Sequence, residues 1–148
     1  MKCWPVVAAA LLLTACGDVT NESYATYAEA RAAGMIERGW LPDFVPTSAT
    51  DIHDVHDLDT NAQTLIFSAP TSEVPATTAR FRRAPAEDLA IARQMIAHLG
   101  WEPDALGASV QAYQLCRADV PGGLFVNNET GVIAYKVPVD WTTFTCPS

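Results

Sequence analysis

The residue types best suited to chemistry are concentrated in one short segment, residues 51–59. It holds four aspartates and two of the three histidines of the chain. Alternate side chains of a strand share a face, so Asp51, His53 and Asp57 would point the same way. Carboxylate and imidazole groups together are suitable ligands for a divalent metal. The segment therefore predicts a candidate metal-binding or hydrolytic site.

Two features favour a different interpretation of this segment. Same-face neighbours on one strand are ~7 Å apart, so a compact metal shell needs ligands from elsewhere. Charged residues in alternation are also typical of a solvated or edge strand, where charge prevents pairing with another chain. Asp54 and His56 fall on the opposite face, and His56 could join the other three ligands only through a bulge. We favour the solvated strand and keep the metal site as the alternative.

The rest of the chain offers little further chemistry. Arg80, Arg82 and Arg83 form the one basic cluster in a chain of net charge −8. They would either contact lipid headgroups or peptidoglycan carboxylates, or pair with acidic residues of the same domain, which we favour. The sequence has no Gly-x-Ser-x-Gly, no glycine-rich phosphate loop and no His-Glu-x-x-His. We assign no catalytic residue, expect no cofactor and consider a non-enzymatic role more consistent with the sequence.

The first sixteen residues have the order of an export signal. A single positive charge is followed by an apolar run that is too short to cross a ~30 Å hydrocarbon core. The run ends in Leu13-Thr14-Ala15-Cys16, which resembles the lipobox of bacterial lipoproteins. The resemblance implies cleavage before Cys16, lipidation of that cysteine and anchoring in the bilayer. Gly17 directly after it is similar to the pattern of proteins sorted to the outer rather than the inner membrane.

Composition is consistent with a periplasm-facing envelope protein. Loss of residues 1–15 and a tether over residues 16–22 would leave one domain, residues 23–148, with a single core. Its acidity gives no electrostatic basis for binding nucleic acid. An envelope protein is a further candidate partner beside the bilayer. Cys116 and Cys146 would remain as a pair in an oxidising compartment, which favours a disulfide over two free thiols.

Hydrophobic patterning predicts two helices and several strands. A capping-box spacing at Thr26 and a glycine at position 39 delimit a helix over residues 24–38, and Pro85 starts another over residues 86–99. Strands are expected over residues 48–57 and 63–68, which form a hairpin, and over residues 110–117. A turn over residues 121–123 follows, and strands over 124–127 and 132–137 form a second hairpin across residues 128–131. We predict an α+β fold in which two helices pack on one face of an antiparallel sheet of about five strands.

Residues 28–61 also resemble a segment of small exported bacterial proteins of unknown function. The shared features are a Gly-Trp-Leu-Pro sequence, the run Pro46-Thr47-Ser48-Ala49-Thr50-Asp51-Ile52 and Asp59-Thr60-Asn61. The resemblance implies an α+β fold and no activity.

Overall fold

The computed structural model describes residues 18–98 and 110–147. A seven-stranded, fully antiparallel sheet dominates these residues, with strand order β1-β2-β3-β7-β6-β5-β4. The strands are β1 (Val19–Thr26), β2 (Thr50–Asp57), β3 (Gln63–Ser68), β4 (Arg82–Arg83), β5 (Val110–Arg117), β6 (Val120–Asn127) and β7 (Val132–Val137). The helices are α1 (Tyr27–Ala32), α2 (Val74–Thr78) and α3 (Leu89–His98), and a 3₁₀ turn, Ala86–Asp88, precedes α3.

The predicted fold class is wrong in the number of strands and in the role of the helices. Residues 19–26 were expected to be tether and helix, but they pair with β2 along its whole length. The two predicted helices also do not share a face. Ala30 of α1 packs in the core cluster that contains Leu124, whereas Leu89 of α3 packs against the cluster that contains Phe125. Because consecutive strand residues point to opposite faces, helical segments cover both sides of the sheet.

The first helix starts where the sequence predicts its cap but ends early. Thr26 Oγ1 accepts a hydrogen bond from the backbone N–H of Glu29 at 3.2 Å, and the Glu29 carboxylate accepts from the N–H of Ala25 at 2.9 Å. These two bonds satisfy N–H groups that a helix start leaves free. Gly34 has a φ of +80° and follows the helix within two residues. The chain therefore leaves the helix at the first glycine and not at Gly39.

The hairpins agree better with the sequence. The structure confirms the predicted pairing of β2 with β3 and of the strands on either side of residues 128–131. The predicted turn over residues 121–123 is wrong, because these residues pair within β6. The turn lies instead at Ala118 and Asp119, which have φ values of +47° and +67°. Such left-handed pairs form the tight turns that match strand twist.

A disulfide joins Cys116, at the end of β5, to Cys146 in the C-terminal tail, the two cysteines that the sequence pairs. Their Cα atoms are 5.8 Å apart across a separation of 30 residues. The expected signal peptide and Cys16 lie outside the described residues. No described helix has the length and apolar character needed to cross a membrane.

Candidate functional site

A cluster of polar side chains lies where β1 and β2 pair. It is on the face of β2 that carries the buried Ile52, which we call the inner face; the exposed face that carries His53 is the outer face. Glu22 of β1 stands opposite Asp54 of β2 in the strand register. His56 follows two residues later and so shares the face of Asp54. Ile52 lies two residues before Asp54, so its side chain points to the same face, and it is fully buried in the core. The inner face of β2 therefore changes from apolar to acidic and imidazole side chains along its length.

Asp54, His56 and Gln63 form a buried hydrogen-bond network. Asp54 is 0% exposed, His56 2% and Gln63 1%. Oδ2 of Asp54 and Nδ1 of His56 share a short hydrogen bond. Gln63 Nε2 donates to the other carboxylate oxygen of Asp54 at 2.5 Å and to the backbone carbonyl of Trp40 at 2.6 Å. Both oxygens of a fully buried carboxylate are thus satisfied, as burial requires.

Trp40 and Arg117 close the network from above. The indole of Trp40 stacks on the His56 ring, with centroids 3.9 Å apart and planes inclined by 15°. The guanidinium of Arg117 lies 5.1 Å from the Trp40 ring centroid and donates to Gln63 Oε1 at 2.9 Å. Gln63 therefore links the Arg117 cation to the Asp54 carboxylate through the two ends of one amide.

Burial governs the ionisation of Asp54. Desolvation raises the pKa of its carboxyl group, and the hydrogen bonds from Gln63 and His56 oppose the rise without cancelling it. An Asp–His pair of this kind fixes the orientation of an imidazole for metal ligation or proton transfer. The pair lies beneath Trp40, and His56 is 2% exposed.

Glu22 and Arg38 form the rim of the cluster. Arg38 donates to both carboxylate oxygens of Glu22 at 3.1–3.2 Å, and their side chains are 40% and 23% exposed respectively. The carboxylate of Glu22 therefore connects the buried pair with solvent. A partly exposed pair of this kind contributes little to stability, so Arg38 can leave Glu22 at low cost.

A recess of about 380 Å³ lies beside the network. Its walls combine aromatic rings with two guanidinium groups, from the side chains Phe44, Phe81, Tyr135, Arg80 and Arg117. Phe44 packs edge-on against both Phe81 and Tyr135. The guanidinium carbon of Arg80 lies 5.0 Å from the ring centroid of Phe81, and Arg80 forms an ion pair with Asp43. Hydrogen bonding to Arg80 lowers the pKa of the Asp43 carboxyl group.

The residues of the predicted metal site do not converge. Among the described residues, the only group of three ligands within reach of one another excludes Asp51, His53 and Asp57. His53 Nδ1 bonds to Ser23 Oγ at 2.9 Å on the outer face. Asp57 Oδ1 accepts from the backbone N–H groups of Asp59 and Thr60, and these bonds lower the pKa of the Asp57 carboxyl group. Asp57 is the last residue of β2, and its side chain thus stabilises the turn that follows the strand.

The arginine cluster separates in the structure. Arg80 pairs with Asp43 of the same domain, as the favoured interpretation expects. Arg82 and Arg83 form the short edge strand β4 and are exposed. A single basic surface formed by all three side chains is therefore not what the structure contains.

Sequence reasoning missed the members of the buried network. The alternation puts Asp54 and His56 on one face with Ile52, and the apolar Ile52 is the available signal that this face points inward. Glu22 falls in the predicted tether, and Gln63 falls in a predicted strand without any further signal. Arg117 comes from β5, 54 residues after Gln63. No local pattern links two residues so distant in the chain.

These features define an antiparallel-sheet domain with a buried acidic and imidazole cluster beside an aromatic recess. Residues 18–68 match the family model of the YbbD head domain, which indicates a small bacterial domain. The matched range contains β1 to β3 and hence Glu22, Asp54, His56 and Gln63, but not Arg117. Comparison with curated proteins and with solved structures returns no match.

Proposed function

We propose that this protein is a lipoprotein of the bacterial cell envelope whose sheet domain has a binding or structural role and no catalytic one. The observation that carries the proposal is the short distance between the lipobox cysteine and the sheet. β1 begins at Val19, and three residues span about 10 Å at most. A lipid on Cys16 would therefore hold the β1 edge of the domain at the membrane surface, facing the periplasm.

Other features support this location. The Cys116–Cys146 disulfide suits an oxidising compartment. The backbone of Asp18 already accepts a hydrogen bond from the N–H of Leu58 at 3.0 Å, so the sheet domain begins within the range predicted as a tether, residues 16–22. We favour the outer over the inner membrane because Gly17, and not an aspartate, follows Cys16.

The recess beside Arg117 is the surface that we propose for a partner in the envelope. It combines aromatic rings with guanidinium groups, which are the side chains enriched at protein interfaces. The alternative function, a metal protein or hydrolase that uses Asp51, His53 and Asp57, has no geometric support, because their side chains are engaged separately.

Lipidation is tested by labelling with radioactive palmitate and by membrane fractionation. Cys16→Ser should abolish the label and release the protein from the membrane fraction. Cys3→Ser is the matched control, because it changes a cysteine that cleavage would remove, and it should retain both properties. Persistent labelling of Cys16→Ser would refute the proposed anchor.

The partner surface is tested by site-specific photocrosslinking in intact cells. A crosslinker at Phe44, in the recess, should give a discrete adduct, and one at the exposed Glu87 should not. The Phe44 adduct should disappear when Arg117→Gln is added, provided that this variant is folded and lipidated; this result would support a specific surface. Equal adducts from both positions would contradict it.

A further inference from the structure

Three side chains of the described residues bring their ligand atoms close enough to share a cation. One ligand atom from each of Glu22, Asp54 and His56 lies within 4.8 Å of the other two. A divalent transition metal holds O and N ligands at about 2.0–2.2 Å, so its ligand atoms stand up to about 4.3 Å apart. Glu22 is partly exposed at the rim, which allows the small closing movement that this spacing needs.

We propose that Glu22, Asp54 and His56 bind a divalent transition-metal ion of the Zn²⁺ or Mn²⁺ type. The three ligands are two carboxylates and one imidazole, a mixed O and N set. In this structure Nδ1 of His56 and Oδ2 of Asp54 share a hydrogen bond, so the ion would replace the shared proton, which would be released to solvent. Solvent reaches the site at Glu22, so water would complete the coordination. The proposed site lies on the inner face of β2 and uses none of the three residues that the sequence suggests.

Buried charge provides an argument that is independent of distance. Asp54 has no solvent exposure, and its direct partners are the neutral Gln63 amide and the His56 ring. A buried carboxylate is costly unless a cation contacts it, and His56 supplies that charge only when its imidazole is protonated. A divalent ion between Asp54 and Glu22 would place positive charge in direct contact with Asp54. Arg117 does not do so, because it is linked to Asp54 only through Gln63.

The groups behind the ligands already hold them in position. Gln63 donates to Asp54 and is itself fixed by Trp40 and Arg117. The indole of Trp40 fixes the plane of the His56 ring. Metal sites depend on such an outer layer, because hydrogen bonds orient the ligands and raise their basicity.

Arg38 would compete with the ion for the carboxylate of Glu22. Its guanidinium occupies Glu22 in this structure, and it would have to move into solvent when a metal binds. Arg38 is partly exposed, so this movement costs little. Metal binding and the ion pair with Arg38 therefore compete for the carboxylate of Glu22. Substitution of Arg38 removes the ion pair but keeps the proposed ligand, so the two roles of Glu22 can be tested separately.

The test is isothermal titration of the full-length, detergent-solubilised protein with ZnCl₂ and with MnCl₂, after chelator treatment and without a polyhistidine tag. We expect one ion per chain for at least one metal. Glu22→Gln should weaken binding by about tenfold or more, and Arg38→Gln should leave it unchanged or tighten it. His53→Gln, on the outer face of the same strand, is the control and should bind like the wild type.

Glu22→Gln is the decisive variant because it changes a rim residue and leaves the buried pair intact. Circular dichroism and the disulfide state verify that each variant is folded. The absence of stoichiometric binding to the wild type would overturn the proposal. So would equal weakening by Glu22→Gln and Arg38→Gln, which would identify the pair as structural, or loss of binding in His53→Gln.

Discussion

The imidazole of His56 lies almost parallel to the indole of Trp40, with ring centroids 3.9 Å apart. His56 lies near the end of β2, the second strand of the sheet, whereas Trp40 comes from the loop after α1. The contact therefore attaches this loop to the sheet and excludes solvent from the Asp54–His56 pair. Its consequences for stability follow directly.

Trp40→Ala should destabilise the domain by about 3–5 kcal/mol, because it removes a buried aromatic side chain and leaves a cavity over His56. Trp40→Phe is the control, since it retains a ring that can stack, and should cost clearly less. Urea denaturation followed by far-ultraviolet circular dichroism measures both. Equal losses in the two variants would show that stacking on His56 is unimportant.

Gln63→Leu should cost about 1–3 kcal/mol for each buried partner left unsatisfied. The amide of Gln63 bonds to Asp54, to the carbonyl of Trp40 and to Arg117, so the leucine would remove one hydrogen bond from each of them. Gln111→Leu is a matched control, because the Gln111 side chain accepts a hydrogen bond from the hydroxyl of Tyr113 outside the network. A loss of unfolding free energy in Gln63→Leu that is smaller than the loss in Gln111→Leu would contradict the bridging role of Gln63.

Arg80→Gln should raise the pKa of Asp43 towards its usual range, because the hydrogen bond from Arg80 is the largest cause of its lowering. A carboxyl group with a lowered folded-state pKa stabilises the fold above its unfolded pKa, and this contribution is lost as pH falls through the folded value. Asp43 is 82% exposed, so the effect on stability is about 0–1 kcal/mol. Carboxyl-carbon NMR titration measures the shift.

Arg82→Gln is the control for this titration, since Arg82 lies in β4 and is exposed. The pKa of Asp43 should be the same in this variant as in the wild type. The wild type should lose its advantage over Arg80→Gln in acid and keep it near neutral pH. An unchanged Asp43 pKa in Arg80→Gln would contradict the pairing.

Reduction of the Cys116–Cys146 disulfide should lower the free energy of unfolding by about 3–4 kcal/mol, as loop-closure entropy suggests for a separation of 30 residues. The double variant Cys116→Ser, Cys146→Ser should show the same loss without reductant. Urea denaturation with and without dithiothreitol compares them. A wild type that is insensitive to reductant would show that the cross-link does not constrain the unfolded chain.

Gly131→Ala should destabilise the domain far more than Gly39→Ala. Both glycines have φ values near +80°, which cost an alanine about 1–2 kcal/mol. A methyl group at Gly131 would also stand 2.0 Å from the carbonyl oxygen of Ala69, whereas the one at Gly39 meets nothing within 4 Å. Thermal denaturation of the two variants should separate the backbone effect from the clash.

Local patterns predicted much of the sheet. The alternation and turn residues of the β2–β3 hairpin identified both strands, because such a hairpin needs only neighbouring residues. The capping box at Thr26 was also correct, although the helix begins at Tyr27 and not at residue 24. The same reasoning failed for β1, since its alternation of polar and half-buried residues reads as a strand only once β2 pairs with it. Edge strands take their structure from a partner.

The sequence by itself determined the lipobox pattern, the pairable cysteines and the concentration of aspartate and histidine in residues 51–59. Only the tertiary structure decided which face of that segment is buried and which side chains meet it there. Glu22, Gln63, Trp40 and Arg117 come from four different parts of the chain, and each is brought to Asp54 and His56 by strand pairing or by loop packing. The physical reason is that burial and ligand geometry depend on non-local contacts, whereas sequence periodicity reports only which residues share a face.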